Sequence, residues 1–354
     1  MTDGIDPTVS VVIPVFDGGE SFRACLSSLA ALAPGAHEVI VVDDSSGDGS
    51  GRLASEFGAE VLTTLVRSGP AHARNLGARQ ACGDILLFVD ADVAVRPDTA
   101  GRVALAFRLD PGLSALFGSY DDAPAAADFL SQYKNLMHHY VHQTGREDAF
   151  TFWAGCGAIR RELFLSLGGF DERYREPAIE DIELGYRLKS AGYKILLIKA
   201  LQVKHLKPWS PPGLVRTDFT RRALPWAELI LRRRRIANDL NIGWSSRISV
   251  LATYGLVGAL LAAWKWPLLL ALAGVCALTL LLLNGPLYRF FARKRGPFFA
   301  LRTVPWHWFY FLYSGLAFAL ALVMHLYSTI VPRPGGQHHV SEEELGREGA
   351  ITAP

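Results

Sequence analysis

Short apolar runs alternate with helical patterns along the N-terminal part of the chain. The runs cover residues 9–13, 38–42 and 85–89, and helical patterns lie at about 20–31, 49–57 and 71–82. Each run is rich in Val, Ile or Leu and ends at Pro, Gly or acidic turn residues, which is typical of buried parallel strands. The βαβαβ order predicts an α/β fold with a mostly parallel central sheet and right-handed crossovers.

Beyond residue 245 the pattern changes to long segments that are almost wholly apolar. They cover residues 248–264, 266–283 and 308–331. Each is about long enough to cross a bilayer, so we expect about three transmembrane helices. Lys265 and its flanking tryptophans predict the turn of a helical hairpin, with the aromatic rings at the level of the lipid headgroups. Buried core helices of a soluble protein are the disfavoured alternative, because these segments exceed ordinary core helices.

Cations are unevenly distributed around the apolar segments. Arginines at 232–235 precede the first segment, and a basic loop containing Arg289, Arg293 and Lys294 separates the second from the third. The positive-inside bias therefore places the N-terminal domain and the basic loop in the cytoplasm, and the acidic tail with Glu342, Glu343 and Glu344 outside. We expect a multi-pass protein of the inner (cytoplasmic) membrane.

The chain is accordingly divided into four parts. Residues 1–207 form the α/β domain, 208–245 a connector, 246–331 the transmembrane region and 332–354 a polar, disordered tail. The connector mixes aromatic and aliphatic residues with many arginines, which predicts amphipathic helices in the membrane interface. A solvated connector with aromatic anchors is the alternative.

Composition narrows the classes of partner. The net charge of +2 and the lack of a basic tract interleaved with aromatics in the first domain argue against a nucleic-acid partner. The polar N-terminus predicts no cleavable secretory signal. The four cysteines have neither metal nor disulfide spacing, which suits a reducing cytosol.

Acidic pairs follow two of the predicted strands. Asp43 and Asp44 follow the run at 38–42, while Asp90 and Asp92 follow the run at 85–89. Ligands bind at the carboxyl ends of strands in open α/β sheets, and paired hard oxygens suit Mg²⁺ or Mn²⁺ carrying a diphosphate. An isolated Asp-x-Asp also occurs in turns and at helix starts, so the strand context carries this interpretation.

Six segments between residues 9 and 207 together resemble the catalytic domain of bacterial-type family 2 inverting glycosyltransferases, whose nucleotide-sugar-binding fold is called GT-A. They are VVIPVF at 11–16, VVDDSSGDGS at 41–50, GPAHARNLG at 69–77, DAD at 90–92, GGFDE at 168–172 and EDIELGYRL at 180–188. The order of the motifs matches the family. Phe16-Asp17 stands where Tyr-Asn is commoner, and Ser45 stands where Gly is usual.

The resemblance implies a donor site for a nucleotide sugar, a UDP- or GDP-sugar, with Mg²⁺ or Mn²⁺ as cofactor. It implies that Asp92 binds the metal, that Asp90 lies near the ribose or the metal, and that His205 reaches the metal or the departing diphosphate. Pro14, Val15 and Phe16 would line the base and ribose, Asp43 or Asp44 would accept from the base, and Arg74 would face the base or diphosphate. A salt bridge from Arg74 to Asp84 or Asp90 is the alternative.

An inverting transfer needs a base that deprotonates the acceptor hydroxyl and an electrophile that holds the departing diphosphate. Glu180 and Asp181 begin a predicted helix, and by resemblance Asp181 is the base, with Glu180 beside it. The alternative is that these acids only complement the helix dipole.

The acceptor side is less well marked. Trp153 could stack on a sugar or belong to the core, and Gly155 would let a sugar approach the backbone. Arg222 and Trp226 lie where processive relatives carry Gln-x-x-Arg-Trp, and the incomplete match disfavours a processive polymerase. His138, His139 and His142 share one helical stretch, where we expect them to line the acceptor side or to be solvated.

These features together predict a membrane-bound inverting glycosyltransferase of envelope glycan or glycolipid synthesis. Its acceptor would be a polyprenyl phosphate, a glycolipid or a lipid-linked oligosaccharide, held near the active site by the bilayer. The alternatives are a processive polysaccharide synthase and a catalytically silent nucleotide-sugar sensor in the membrane.

Overall fold

The computed structural model describes residues 6–233 and 242–330. Arg234, Arg235, the predicted tail at 332–354 and its glutamates lie outside the described residues. The boundaries predicted at 207, 245 and 331 stay predictions.

Within the described residues, eight strands form one mixed sheet in the order β3-β2-β1-β4-β7-β6-β8-β5. The strands are β1 (Val9–Val15), β2 (Glu38–Asp43), β3 (Glu60–Thr63), β4 (Ile85–Val89), β5 (Val93–Ala94), β6 (Leu113–Tyr120), β7 (Cys156–Arg160) and β8 (Lys194–His205). The three predicted strands are confirmed as β1, β2 and β4. The short strand β3 was not predicted, because its sequence Glu-Val-Leu-Thr is too brief for a clear pattern.

Helices connect the strands and cover both faces of the sheet. They are α1 (Gly19–Ala30), α2 (Ser50–Glu56), α3 (Pro70–Gln80), α4 (Thr99–Leu109), α5 (Phe129–Thr144), α6 (Arg161–Ser166) and α7 (Glu180–Ser190). The predicted helices at 20–31, 49–57 and 71–82 are confirmed as α1, α2 and α3, with ends that differ by one or two residues.

Strand pairing is mostly parallel, as predicted. β1 pairs in parallel with β2 and β4, with Val11 opposite Val39 and Val12 opposite Phe88. The exceptions are β7, which lies antiparallel between β4 and β6, and the short strand β5, which pairs antiparallel with β8. The parallel half of the sheet therefore carries the acidic pairs at the carboxyl ends of β2 and β4.

The core is divided by the sheet into two apolar clusters. Val11 and Ile13 belong to one cluster, while Val12 belongs to the other, and all three side chains are fully buried. Successive side chains of a strand point to opposite faces, so a strand buried on both faces needs an unbroken apolar run. Burying each such side chain stabilises the fold by about 1.5–3 kcal/mol.

The connector is helical and lies against the α/β domain. It consists of α8 (Pro211–Arg216), a π-helical segment (Thr217–Ala223) and α9 (Leu224–Arg233). Leu229 is buried with Ile179 and Tyr186 of the α/β domain, and Asp218 is buried beside Lys134. The connector is therefore packed on the domain over much of its length, and its predicted place in the membrane interface stays a prediction.

The apolar C-terminal region forms α10 (Trp244–Ala262), α11 (Leu269–Leu283), α12 (Gly285–Arg295) and α13 (Pro297–Ile330). Within the described residues, α10 and α13 are long and apolar enough to cross a membrane. A third crossing is added if α11 and α12, which are bent by 59° at their junction, count as one broken span. The predicted hairpin turn around Lys265 is present between α10 and α11.

The helix that contains the third apolar segment begins before that segment. Helix α13 begins at Pro297, well before residue 308, because its first turns pack on the α/β domain and on α12. Helix α12 carries much of the basic loop and docks on α5. There Phe291 packs against Tyr133, and Arg295 donates to the Gln132 side chain at 2.7 Å. The basic loop and the α/β domain therefore lie on the same side of the apolar helices.

Candidate active site

Strand pairing brings Asp92 and His205 together. Asp90 and Asp92 follow the end of β4, and the short strand β5 that comes next pairs antiparallel with the end of β8. The backbone N–H of Leu206 donates to the carbonyl of Asp92 at 2.8 Å. The Nε2 atom of His205 consequently lies 3.9 Å from the carboxylate of Asp92.

The electrostatics of this pair suit a cation. Burial, and next the charge of Asp90, raises the pKa of Asp92 to about 6. Burial lowers the pKa of His205 to about 3, so its imidazole is neutral and has a lone pair to offer. Among residues 6–233 and 242–330, no group of three or more His, Cys, Asp or Glu side chains could hold a metal ion. A bound cation would therefore need ligand oxygens from the substrate as well.

Arg74 joins two acidic elements of the site. It lies on α3 and is 6% exposed; its guanidinium donates to Asp90 at 2.6 Å and to Glu180 at 2.9 Å. Although burial disfavours its charge, these two carboxylates raise the pKa of Arg74 above the ordinary value. The salt bridge to Asp90 that was weighed as an alternative is thus present, whereas the one to Asp84 is not among the described contacts. Arg74 fixes the first turn of α7 relative to the end of β4.

Asp181 is held at the start of α7 by backbone donors. Its carboxylate accepts from the N–H groups of Ala154 at 3.1 Å and Ile182 at 2.8 Å. Burial, and next the charge of Glu180, raises the pKa of Asp181 to about 7. A carboxylate with a pKa close to the operating pH is suited to accept a proton from a substrate.

The two acids after β2 differ in their surroundings. Asp44 is buried and accepts from the Thr64 hydroxyl and from the N–H groups of Ser68 and Gly69, each at 2.8 Å. Its oxygens are thus engaged in holding the loop before α3. Asp43 is also buried, but among the described residues its carboxylate accepts from the N–H of Ser46 at 2.9 Å, through one oxygen. Of the two predicted base acceptors, Asp43 is the one with an oxygen to spare.

The residues after β1 separate into core and surface. Val15 is buried in the core cluster, so its backbone is the part that could line a nucleotide site. Pro14 is half-buried in β1, and Phe16 is 39% exposed with the Arg67 guanidinium 4.0 Å from its ring centre. This exposed pair is the accessible surface at the end of β1.

Asp17 and Ser45, which depart from the family pattern, both have an unusual backbone conformation. Asp17 and Ser45 are the described non-glycine residues with positive φ, at 48° and 68°. This conformation favours Gly and Asn, which explains why those residue types are usual there in the resembled family. Here the side chain of Asp17 accepts from the N–H of Gly47 at 2.8 Å, which ties the loop after β1 to the loop after β2.

Trp153 and Gly155 form one packing unit. A Cβ added at Gly155 would lie 2.4 Å from the indole ring of Trp153. The space on the Cβ side of Gly155 is therefore filled by Trp153, and approach of a sugar to this backbone stays a prediction. Trp153 itself is half-buried and packs edge-on against Tyr120, with ring centres 4.8 Å apart.

The three histidines of α5 are packed rather than solvated. His139 and His142 are buried, and their Nδ1 atoms lie within hydrogen-bond distance of the carbonyls of Tyr120 and Gly118. His138 lines a small cavity beside the connector. Solvation is therefore wrong for His139 and His142, because α5 packs this face on β6, whereas a place on the acceptor side stays a prediction.

Arg222 and Trp226 lie on the connector at the same cavity. The indole of Trp226 donates to the Tyr186 hydroxyl at 3.4 Å, so its ring packs on α7. Arg222 is exposed, and its charge lowers the pKa values of Asp92 and His205, though less than burial changes them. The structure therefore brings Arg222 close to the predicted metal side.

Two groups in this region were not predicted. Tyr120 ends β6 and stacks on the His205 ring with centres 4.3 Å apart. Lys134 is bonded to both oxygens of Asp218 at 2.6 and 2.7 Å. The position of Tyr120 at a strand end was an available signal, whereas the pairing of Lys134 with a residue of the connector has no local signal.

The chain is similar to known glycosyltransferases. The family model "Glycosyl transferase family 2" matches residues 10–168. A probable glycosyltransferase of Bacillus subtilis is 29% identical over 210 residues, which cover 55% of this chain and 49% of that protein. A succinoglycan biosynthesis protein of Rhizobium meliloti is 29% identical over 202 residues, which cover 52% and 59%. The chain thus spans about half the length of these relatives.

The fold has a solved counterpart. A mannosyltransferase from Pyrobaculum calidifontis, solved with GDP-Man and Mn²⁺, matches this chain with a TM-score of 0.53 and 19% identity. The match covers 93% of this chain and 89% of the mannosyltransferase. At this identity the similarity shows the fold alone, and the fold is GT-A followed by apolar helices.

Proposed function

We propose that the protein, whose residues 10–168 match the family model of glycosyl transferase family 2, is a membrane-bound inverting glycosyltransferase. It moves a sugar from a UDP- or GDP-sugar to a membrane-associated acceptor in envelope glycan or glycolipid synthesis. The observation that carries this proposal is the link through Arg74. This one buried side chain joins the acids after β4, on the donor side, to the first turn of α7, where Asp181 lies.

Asp92 and His205 are the residues that would hold a divalent cation, Mg²⁺ or Mn²⁺. The carboxylate of Asp92 is half-buried and its pKa is raised, and the imidazole of His205 beside it is neutral. Neither side chain brings a positive charge, and together they offer the oxygen and nitrogen ligands that such a cation needs. When bound, the cation would neutralise charge that develops on the departing diphosphate. The fold counterpart from Pyrobaculum calidifontis was solved with Mn²⁺, which agrees with this assignment.

Asp181 acts as the base in the proposed transfer. The acceptor hydroxyl oxygen attacks the anomeric carbon, its proton passes to the Asp181 carboxylate, and the bond from that carbon to the nucleoside diphosphate breaks. Attack on the face opposite the departing group inverts the anomeric configuration. Backbone donors from Ala154 and Ile182 hold the carboxylate in place without neutralising it.

Asp43, Phe16 and Pro14 are proposed to hold the nucleotide. Asp43 offers a carboxylate oxygen to the base edge, and the exposed ring of Phe16 offers a stacking surface beside Arg67. In this proposal Asp44 has a supporting role, since it fixes the loop that leads into α3 and thus to Arg74.

Membrane attachment is proposed from the apolar helices. The α/β domain and the basic helix α12 lie on one side of α10 and α11, and positive charge next to a span favours the cytoplasm. The active site would therefore face the cytoplasm, where nucleotide sugars are made, close to acceptors in the inner membrane.

The test is release of nucleoside diphosphate by the full chain in nanodiscs. A panel of UDP-, GDP- and TDP-sugars is supplied with Mg²⁺ or Mn²⁺, with and without extracted membrane lipids, and Asp181→Asn is the control. Lipid-stimulated release that the control lacks supports the proposal and names the donor. Donor binding with no release under any lipid condition would favour the silent sensor, and long polymeric product would favour the processive synthase.

A further inference from the structure

The loop between β3 and α3 carries two adjacent apolar side chains that are exposed. Leu65 is 98% exposed and Val66 is 69% exposed, and we call this pair the apolar tip. Single exposed apolar residues are ordinary on protein surfaces, so exposure alone does not identify a contact. The backbone and the charges around the apolar tip therefore have to show what covers it.

The backbone on both sides of the apolar tip is fixed. Before the tip, the hydroxyl of Thr64 donates to the carboxylate of Asp44 at 2.8 Å. After the tip, the N–H of Ser68 donates to the same carboxylate at 2.8 Å, and the Ser68 hydroxyl donates to the carbonyl of Val66 at 2.9 Å. The loop is thus held in one conformation, so a partner that covers the apolar tip does not have to order it first.

Ion pairs join this loop to the connector. Arg67 directly follows the apolar tip and lies 3.8 Å from the carboxylate of Glu176, while Arg221 of the π-helical segment lies 2.7 Å from the same carboxylate. The backbone of Arg175 also passes over Gly69, where an added Cβ would lie 2.2 Å from the Arg175 carbonyl oxygen. The apolar tip therefore lies close to the connector in space, although the two are far apart in the chain.

The connector packs on an apolar helix at this point. Asp218 belongs to the same π-helical segment as Arg221, and its carboxylate accepts from the hydroxyl of Tyr313 at 3.0 Å. Tyr313 lies within α13, one of the helices that are long and apolar enough to cross a membrane. The apolar tip is thus located on the side of the α/β domain that faces the apolar helices.

An exposed cation beside the apolar tip has no acidic partner. The side chain of Arg175 is exposed and has neither a hydrogen bond nor an ion pair within residues 6–233 and 242–330. The carboxylate of the neighbouring Glu176 is already shared by Arg67 and Arg221. At a membrane surface, cations meet lipid phosphates and apolar side chains enter the interface, so this combination of groups suits a bilayer that contains anionic lipids.

We infer that the apolar tip and Arg175 form a second contact with the membrane, separate from the apolar helices. Leu65 and Val66 enter the interface of the bilayer around α13, and Arg175 binds the phosphate of an anionic lipid beside them. The guanidinium of Arg67 lies over the ring of Phe16, so this contact holds the proposed nucleotide side of the active site at the membrane. The inference rests on the membrane attachment proposed above and deepens it by identifying the surface of the α/β domain that meets lipid.

The experiment measures the membrane depth of single labelled positions of the full chain in nanodiscs. Cys82→Ser and Cys276→Ala first remove the two cysteines that are not buried. One new cysteine is then introduced and labelled with the fluorophore nitrobenzoxadiazole. Quenching by phosphatidylcholine with a nitroxide on its acyl chain reports contact of the label with the bilayer. The discs contain phosphatidylcholine alone or mixed with anionic phosphatidylglycerol.

Three labelled positions are compared. Leu65→Cys reports on the apolar tip, and Leu251→Cys, on the exposed face of α10, shows that the chain is embedded. Leu109→Cys is the matched control, because Leu109 is a 72% exposed leucine at the end of α4, next to the start of β6. Helix α12 docks beyond the other end of β6, where Arg295 donates to the carbonyl of Asp122 at 2.9 Å.

We expect the labels at residues 65 and 251 to be quenched. Burial of one aliphatic side chain favours the inserted state about tenfold or more, so quenching at residue 109 should be about tenfold weaker than at residue 65. Val66→Asp should lower the quenching at residue 65, because a carboxylate opposes insertion into the interface. A thermal melt checks that each variant is folded.

A substitution of Arg175 tests the contact with anionic lipid. Quenching at residue 65 should rise when phosphatidylglycerol is added, and Arg175→Gln should remove this rise. Arg108→Gln removes the same charge from an exposed position of α4 and should leave the rise unchanged. An equal rise in Arg175→Gln and in the parent chain would overturn the phosphate contact.

The outcomes separate this inference from the proposed function. Quenching at residue 251 without quenching at residue 65, or equal quenching at residues 65 and 109, would overturn the inference and leave the membrane attachment intact. No quenching at residue 251 would refute the proposed attachment and the inference with it. Quenching at residue 65 in a chain that transfers no sugar would support the inference and count against the proposed glycosyltransferase.

Discussion

The pKa of Asp181 makes the proposed base testable through the pH dependence of the reaction. The pKa lies at about 7 instead of 3.8, because of burial first and of the neighbouring Glu180 second. A base works in its deprotonated form, so activity is expected to fall as the pH drops through this pKa. About nine tenths of the molecules have an ionised Asp181 at about pH 8 and about one tenth at about pH 6, so kcat/KM should fall about tenfold.

A substitution at Glu180 should shift the acid limb of the pH profile, which is the range in which activity falls as the pH drops. Glu180→Gln removes the like charge beside Asp181 and keeps an oxygen that can accept from Arg74. The acid limb should then shift to lower pH by about one unit. Glu176→Gln removes the same charge from an exposed loop position and should leave the limb in place. Asp181→Asn should keep donor affinity and lose turnover.

The assay is initial-rate diphosphate release at saturating Mn²⁺. The metal concentration matters because Asp92 titrates nearby, with a pKa of about 6, and a bound cation keeps its carboxylate ionised. A profile of kcat/KM that stays flat down to about pH 5 would refute the reasoning, since it would mean that no group with a raised pKa acts as the base. Near-normal transfer by Asp181→Asn would remove this residue from the role.

Three further outcomes are expected. Asp92→Asn should abolish metal-dependent donor binding in calorimetry with Mn²⁺, and unchanged affinity would contradict the metal assignment. Asp44→Asn should lower the melting temperature more than Asp43→Asn, because Asp44 accepts three hydrogen bonds, whereas Asp43→Asn should mainly raise the KM of the donor. A cysteine at Arg293 should react with an impermeant maleimide only after cells are permeabilised, while one at Lys265 reacts in intact cells; the reverse pattern would invert the topology.

Much of the fold was predictable because the signals are local. The strands β1, β2 and β4 are buried on both faces, so each has an unbroken apolar run that can be seen in isolation. The acids at their ends are adjacent in sequence to those runs. The apolar helices are equally local, since their length and composition identify them without any knowledge of their neighbours.

Strand partners were not predictable from such signals. The antiparallel strand β7 lies between β4 and β6, and the two-residue strand β5 pairs with the end of β8. The second pairing is what brings His205 to Asp92. Side-chain periodicity reports whether a strand is buried, whereas the choice of partner depends on which other strands compete for the same edge.

The tertiary structure also decided which site residues are engaged in internal contacts. Asp43 and Asp44 are neighbours of the same type, but only the backbone of the loop before α3 determines that Asp44 is engaged internally. The space at Gly155 is taken by an indole that the sequence alone left free. The sequence by itself determined the residue types, the strand ends and the apolar helices, because these depend on near neighbours. The tertiary structure decided which groups meet and which remain free for a ligand, because hydrogen-bond partners and burial come from residues distant in the chain.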